Sequence, residues 1–207
     1  MAHLEVPMKL YVTYTSPYAR LARILVVEKA LEDRVEIIEA KTRTRGSPYY
    51  QINPSGRVPY LVDETGLGME DSQLICAYLD SLDGQPRFHD QLREQDWAYL
   101  RLEFAARSMC EGIAVWGREM SRPESERSPT ILAHEAARSQ RMADVFEGYV
   151  ADPLMQRAPR MAHLILAVAV EMARKRGLGD LTNGRPQLAS WMRPMSDLPS
   201  MQKTAPP

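Results

Sequence analysis

Asn53-Pro54-Ser55-Gly56-Arg57-Val58-Pro59-Tyr60-Leu61-Val62 carries a turn without pause into an apolar strand that begins at a proline. Proline has no N–H to give to a sheet ladder, so at a strand start it marks an edge, a bulge or a cis turn. A cis bond before Pro59 would fold Val58 back and leave its N–H and C=O facing outward. An extended peptide laid alongside could then pair with them, which makes this stretch the wall of a peptide-sized groove.

Upstream, Lys9-Leu10-Tyr11-Val12-Thr13-Tyr14 is rich in β-branched and aromatic residues and predicts a strand. Ser16-Pro17 opens a helix running to about residue 31, with Leu21, Ile24, Leu25 and Glu28 on one stripe and Arg20, Arg23 and Lys29 expected in solvent. Residues 35–40 read as a second strand, so the opening is a βαβ unit with a right-handed crossover and a parallel pair. The polar, basic residues 41–52, with Gly46 and Pro48, read as a long loop holding one irregular helical turn. Downstream, residues 58–62 and 67–69 flank Asp63-Glu64-Thr65-Gly66, a hairpin signal, and a helix follows over 71–82. The order βαβ, loop, ββα closes a first domain of residues 1–84, and Asp83-Gly84-Gln85-Pro86 breaks the chain.

Nothing beyond the break predicts a strand. Helical periodicity covers 92–120, 131–150 and 161–175, with a short fourth helix over 187–192 and a tail, 198–207, expected to lie extended on the surface. The third helix is apolar all round, which predicts burial at the centre of an all-helical second domain, residues 85–207.

The chain has 207 residues, 44% of them hydrophobic, enough for a sizeable core. Its 26 basic and 27 acidic residues give a formal net charge of -1, so no global field favours nucleic acid or an anionic membrane. Cys76 and Cys110 stand apart from each other and from the four histidines, which predicts neither disulfide nor metal site. The start lacks a basic segment leading into an apolar core, and the longest apolar run, 164–170, is too short to span a bilayer. A cytoplasmic protein is expected.

Ser16-Pro17 and Asp71-Ser72 are ordinary helix starts taken singly. In a βαβ–ββα unit, however, both helices open at the same edge of the sheet, where free N–H groups and the macrodipole attract anions. Two such ends beside a peptide-pairing loop describe a site for a small anionic peptide.

Three segments together resemble the glutathione S-transferases, in the bacterial type with serine at the catalytic position. Ser16-Pro17-Tyr18-Ala19-Arg20 is similar to the family's Ser-Pro-aromatic mouth of the first helix; Asn53-Pro54-Ser55-Gly56-Arg57-Val58-Pro59 to its cis-proline loop; and Asp71-Ser72-Gln73-Leu74-Ile75-Cys76-Ala77-Tyr78-Leu79 to its acidic-Ser segment. The resemblance covers most of the chain and implies a thioredoxin-like α/β domain followed by an all-α helical bundle. It also implies a glutathione transferase that conjugates the thiolate to a small apolar electrophile, as in detoxification, with no metal and a homodimeric state. A noncatalytic binding or regulatory protein, or a glutathione-dependent isomerase, peroxidase or dehalogenase, is compatible with the same motifs.

By the same resemblance, Val58, presented by Pro59, pairs with the cysteinyl backbone. Asp71 takes the γ-glutamyl ammonium, and Ser72 with helix N–H groups takes its carboxylate. Arg57 and one of Lys41, Arg43 or Arg45, with Arg45 preferred, meet the glycyl carboxylate. Ser16 donates a hydrogen bond to sulfur and lowers the thiol pKa, with no base required; Thr15 and Tyr14 are near enough to compete. Tyr14, Arg107 and Trp116 are the expected electrophile-pocket residues, with Met109 and Gly112 nearby and packing the competing role for Met109 and Trp116. One departure concerns the buried helix, which relatives open with a Ser/Thr-x-x-Asp capping box. This chain has Ala158-Pro159-Arg160-Met161-Ala162-His163 there, a loss of about 1 kcal/mol unless His163 substitutes as a cap.

Overall fold

Strand β1 (Met8–Val12) is the middle of the first unit, with parallel β2 (Val35–Glu39) on one side and antiparallel β3 (Tyr60–Val62) on the other. The hairpin to β4 (Gly68–Glu70) completes a sheet of order β2-β1-β3-β4. These relations come from a computed structural model of the chain, which describes residues 7–89 and 97–206. The first residues of the helix predicted from 92 lie outside the described residues. The chain divides into two compact units, one running to Arg87 and including the chain from Lys203 on, the other spanning 88–202.

Met8, Leu10 and Val12 are fully buried by the alternation of β1. Helices α1 (Pro17–Glu28) and α3 (Ser72–Ser81) pack on each other and on the sheet, and Tyr11, on the opposite face, meets Tyr49 of α2 (Tyr49–Ile52) with ring centroids 5.6 Å apart. The hairpin turn is held by Asp63, whose Oδ1 accepts from the Thr65 N–H, the Thr65 hydroxyl and the Leu67 N–H.

Two expectations are corrected in this unit. Arg20 and Arg23 are not in solvent but 0% and 7% exposed. The returning chain covers them: Arg20 Nε reaches Thr204 Oγ1 at 3.5 Å and Arg23 Nη1 donates to the Thr204 carbonyl at 3.3 Å. Lys29 is half-buried, with its side chain only 5% exposed and its ammonium paired with Asp83 at 2.7 Å and Asp80 at 3.4 Å and donating to the Gln85 carbonyl at 2.9 Å. The tail, predicted extended, instead forms α8 (Pro199–Lys203), with Ser200, Met201 and Thr204 buried. Pro199 at the first helical position is pre-set for that turn.

In the second unit α6 (Met161–Lys175) is the core, all of residues 161–173 being buried. Against it pack α4 (Trp97–Met120) and α7 (Pro186–Ser196), and α5 (Pro129–Tyr149) packs in turn on those two. Among the described residues no strand follows Glu70. α7 runs further than predicted because Pro194 sits in its last turn, where it costs a single intrahelical bond. Cys76 and Cys110 are both buried, and burial pushes the Cys110 thiol up to about 12.

The missing capping box at α6 is replaced from two sides. His163 Nδ1 accepts the Arg160 N–H at 3.2 Å, and the Tyr99 phenol oxygen on α4 accepts the Ala162 N–H at 2.7 Å. His163 is 1% exposed, its ring stacked 6.0 Å from Trp191, and burial pulls it from 6.5 to about 4. A histidine neutral in the fold but protonated when unfolded makes stability complete above pH 6.5 and diminishing as pH falls toward 4. The contribution lost over that window is up to about 3 kcal/mol. Urea melts from pH 7 to pH 4 should therefore show a shallower fall for His163→Asn, which keeps an acceptor but does not titrate; equal slopes would remove His163 as the cause.

Candidate active site

The register of the sheet brings the three motifs together. Tyr11 stands opposite Tyr60, and Tyr60 opposite Glu70. The chain therefore leaves β1 into 13–16, enters β3 from 53–59 and leaves β4 into 71–72 at one end of the sheet. β2 is parallel to β1, with Val12 opposite Glu39, so the basic loop that follows it departs from that end as well. Loops at the carboxyl end of a parallel pair are where α/β sheets hold ligands.

Ser16 is the N-cap of α1, its Oγ accepting the Ala19 N–H at 3.2 Å. That bond occupies one lone pair and leaves the hydroxyl proton free to be donated. The side chain is half-buried. Tyr14, two residues earlier, carries the Arg23 guanidinium 4.7 Å above its ring.

The Val58–Pro59 bond is cis. Pro59 is buried and Val58 half-buried, and among the described residues no hydrogen bond reaches the Val58 N–H or C=O. The loop before it is tied down on all sides. The Arg57 carbonyl accepts from the Tyr49 hydroxyl at 2.5 Å and from Asn53 Nδ2 at 3.0 Å. Asn53 Oδ1 takes the Ser55 N–H at 3.1 Å, and Ser55 Oγ takes the Arg57 N–H at 3.2 Å. Burial raises the Tyr49 phenol to about 12, so it stays a donor at any physiological pH. Gly56, at φ +67, passes under Tyr50, where a Cβ would sit 2.7 Å from Cε1. The sequence reading gives the Asn53 and Tyr49 side chains no role of their own; Asn53, 1% exposed in an Asn-Pro-Ser-Gly turn, could have been suspected from its side-chain turn habit.

Asp71 caps α3 through Oδ1, which accepts the Gln73 N–H at 2.7 Å, and its φ of +80 is a region that non-glycine residues avoid. Such strain persists where the surroundings impose it, commonly at ligand sites. Among the described residues no hydrogen bond reaches its second carboxylate oxygen. Ser72, at the first position of α3, is 8% exposed. Lys41, Arg43, Arg45 and Arg57 are all exposed, and among the described residues none has a carboxylate within salt-bridge distance.

Arg107 and Trp116 belong to α4 in the second unit. Arg107 is held by Glu103, Nη2 at 2.7 Å and Nε at 3.1 Å from Oε1, with Glu103 itself 4% exposed. Trp116 is half-buried, while Met109 and Gly112 are buried in the helical packing. Among the described residues no cluster of three His, Cys, Asp or Glu could hold a metal.

Residues 10–87 match the family model for the glutathione S-transferase N-terminal domain. That segment is similar to a glutathione S-transferase N-terminal domain. Over 202 residues the chain is 28% identical to the uncharacterized GST-like protein YibF of Escherichia coli (strain K12), covering 97% of this chain and 99% of that protein. Among solved structures, a glutathione S-transferase from Methylobacillus flagellatus KT with glutathione bound superposes with a TM-score of 0.84 at 23% identity, covering 97% of this chain and all of the other (100%). A glutathione transferase family member from Pseudomonas fluorescens Pf-5 with bound glutathione gives 0.81 at 25% identity, covering 97% and 99%. The transferase fold thus extends through the helical unit as well as the matched domain, and among the described residues no helix is long and apolar enough to cross a membrane.

Proposed function

We propose that the chain binds glutathione at the loop end of the first-unit sheet and conjugates its thiolate to a small apolar electrophile. The observation that carries this is the Val58 main chain, open to an extended peptide and flanked on the same sheet end by the mouths of α1 and α3. The bound glutathione of the Pseudomonas fluorescens relative supports the choice of peptide. Val58, presented by Pro59, pairs with the cysteinyl backbone. Asp71 holds the γ-glutamyl ammonium; Ser72 and the α3 N–H groups hold its carboxylate. Arg45 and Arg57 take the glycyl end, with Lys41 and Arg43 on the same basic loop. Ser16 donates to the sulfur at the positive end of α1, which favours the thiolate.

Residues 1–84 act as the glutathione-binding domain and 85–207 as the electrophile domain, to which Arg107 and Trp116 contribute, with Tyr14 from the first. The working form is a cytoplasmic homodimer, read out by mass in solution. Titration calorimetry with millimolar glutathione followed by a panel of electrophiles tests the whole reading. Heat without turnover would leave a binding protein, and no heat would end the proposal. Asp71→Asn keeps the cap and tolerates the same backbone; it is expected to weaken glutathione binding by about tenfold or more through loss of the carboxylate charge, with an unchanged melting point. An unaltered affinity would release Asp71 from its role.

A further inference from the structure

The Arg23 guanidinium sits in a place that costs stability. The residue is 7% exposed, its Nε is buried without a hydrogen-bond partner, and burial holds its pKa below the ordinary value, with Arg20 on the same helix lowering it further. Among the described residues no carboxylate lies within salt-bridge distance of it. A buried charge in that state is destabilising, and an apolar side chain would fill the same place on α1 without the penalty. A polar group left this way calls for a local reason.

That reason lies in what the group touches. Nη1 donates to the Thr204 carbonyl at 3.3 Å, and the guanidinium carbon lies 4.7 Å from the centre of the Tyr14 ring. Thr204 is 2% exposed and belongs, with Arg23 and Tyr14, to the first unit. Tyr14 stands in the short stretch between β1 and α1, two residues before Ser16, and is half-buried. Among the described residues no hydrogen bond reaches its hydroxyl, so the cation over its face is what orients the ring. Such a contact is strongest where water is excluded, and a planar guanidinium stacks on a ring face as an ammonium does not. We propose that Arg23 is a positioning residue, held by the Thr204 carbonyl so that its guanidinium fixes the Tyr14 ring as a wall for the electrophile, an inference that rests on the transferase reading of the first unit.

The experiment is titration calorimetry on the full chain with glutathione and with S-hexylglutathione, whose hexyl group stands in for an apolar electrophile. In the parent the hexyl derivative should bind more tightly. Arg23→Met, which removes the charge and keeps an unbranched chain, should weaken S-hexylglutathione by about fivefold and leave glutathione as it was. Arg23→Lys, which keeps a cation near the ring, should recover part of that loss. In a Tyr14→Leu background Arg23→Met should have no further effect on either ligand, whereas a merely structural role would add to it. Arg23→Gln carries the same comparisons if the methionine variant fails to fold. A parent that binds no glutathione would end the transferase reading and this inference together. Where glutathione binds, three results would overturn the role of Arg23 alone: a hexyl derivative bound no more tightly than glutathione by the parent, both ligands unchanged or equally weakened by Arg23→Met, or an undiminished effect of Arg23→Met beside Tyr14→Leu.

Discussion

Ser16→Ala is expected to lower kcat/KM for glutathione conjugation by about two orders of magnitude near neutral pH, the scale seen when one donor to a developing anion is removed. The loss should shrink as pH rises past about 8.5, where a thiol ionises without help. The pH profile is what separates donation from capping. Ser16 Oγ also accepts the Ala19 N–H at 3.2 Å, so alanine uncaps α1 and costs about 1 kcal/mol of stability at any pH. Ser16→Thr keeps both functions and should retain most activity. Steady-state rates across pH for the three proteins decide the matter: a loss independent of pH would reduce Ser16 to a cap, and no loss would remove it from the mechanism.

Asn53→Ala is expected to cost about 2–3 kcal/mol of stability and, in protein that remains folded, to weaken glutathione by more than about tenfold. The side chain makes three bonds in a site 1% exposed: Nδ2 donates to the Arg57 carbonyl at 3.0 Å and to the Tyr49 phenol oxygen at 3.5 Å, and Oδ1 accepts the Ser55 N–H at 3.1 Å. Truncation leaves the Ser55 N–H without this partner and the Arg57 carbonyl dependent on Tyr49. Val58 is the next residue, so looseness there passes directly to the main chain that meets the peptide. Urea melts and calorimetry measure the two effects separately. A destabilised variant with parental glutathione affinity would mean that this loop is scaffold and that the peptide is read elsewhere.

The motifs at the loop end of the sheet were legible because each is written in a few consecutive residues. Ser16-Pro17 and Asp71-Ser72 cap helices through bonds to Ala19 and Gln73, and the strand-initial proline marks its own turn. Their convergence followed from topology, since βαβ–ββα brings those loops to one end. The clamp on the loop was harder to see: Tyr49 read as one residue of an irregular turn, and its hydroxyl acquires a role only when α2 brings it to the Arg57 carbonyl.

Burial was the least legible property where it depended on distant chain. The sequence reading set Arg20 and Arg23 off the apolar stripe of α1 and could not foresee Thr204 reaching them from 184 and 181 residues away. The α6 cap is similar, since His163 lies three residues from Arg160 whereas Tyr99 reaches Ala162 across 63. By itself, then, the sequence determined the elements up to the tail, their order and the helix mouths, because capping, turn and periodicity act over one to four residues. Only the tertiary structure decided which charges are buried, what completes the cap of α6 and how the loop before Val58 is clamped. Those outcomes depend on side chains that the folded backbone brings together, a pairing that no local spacing encodes.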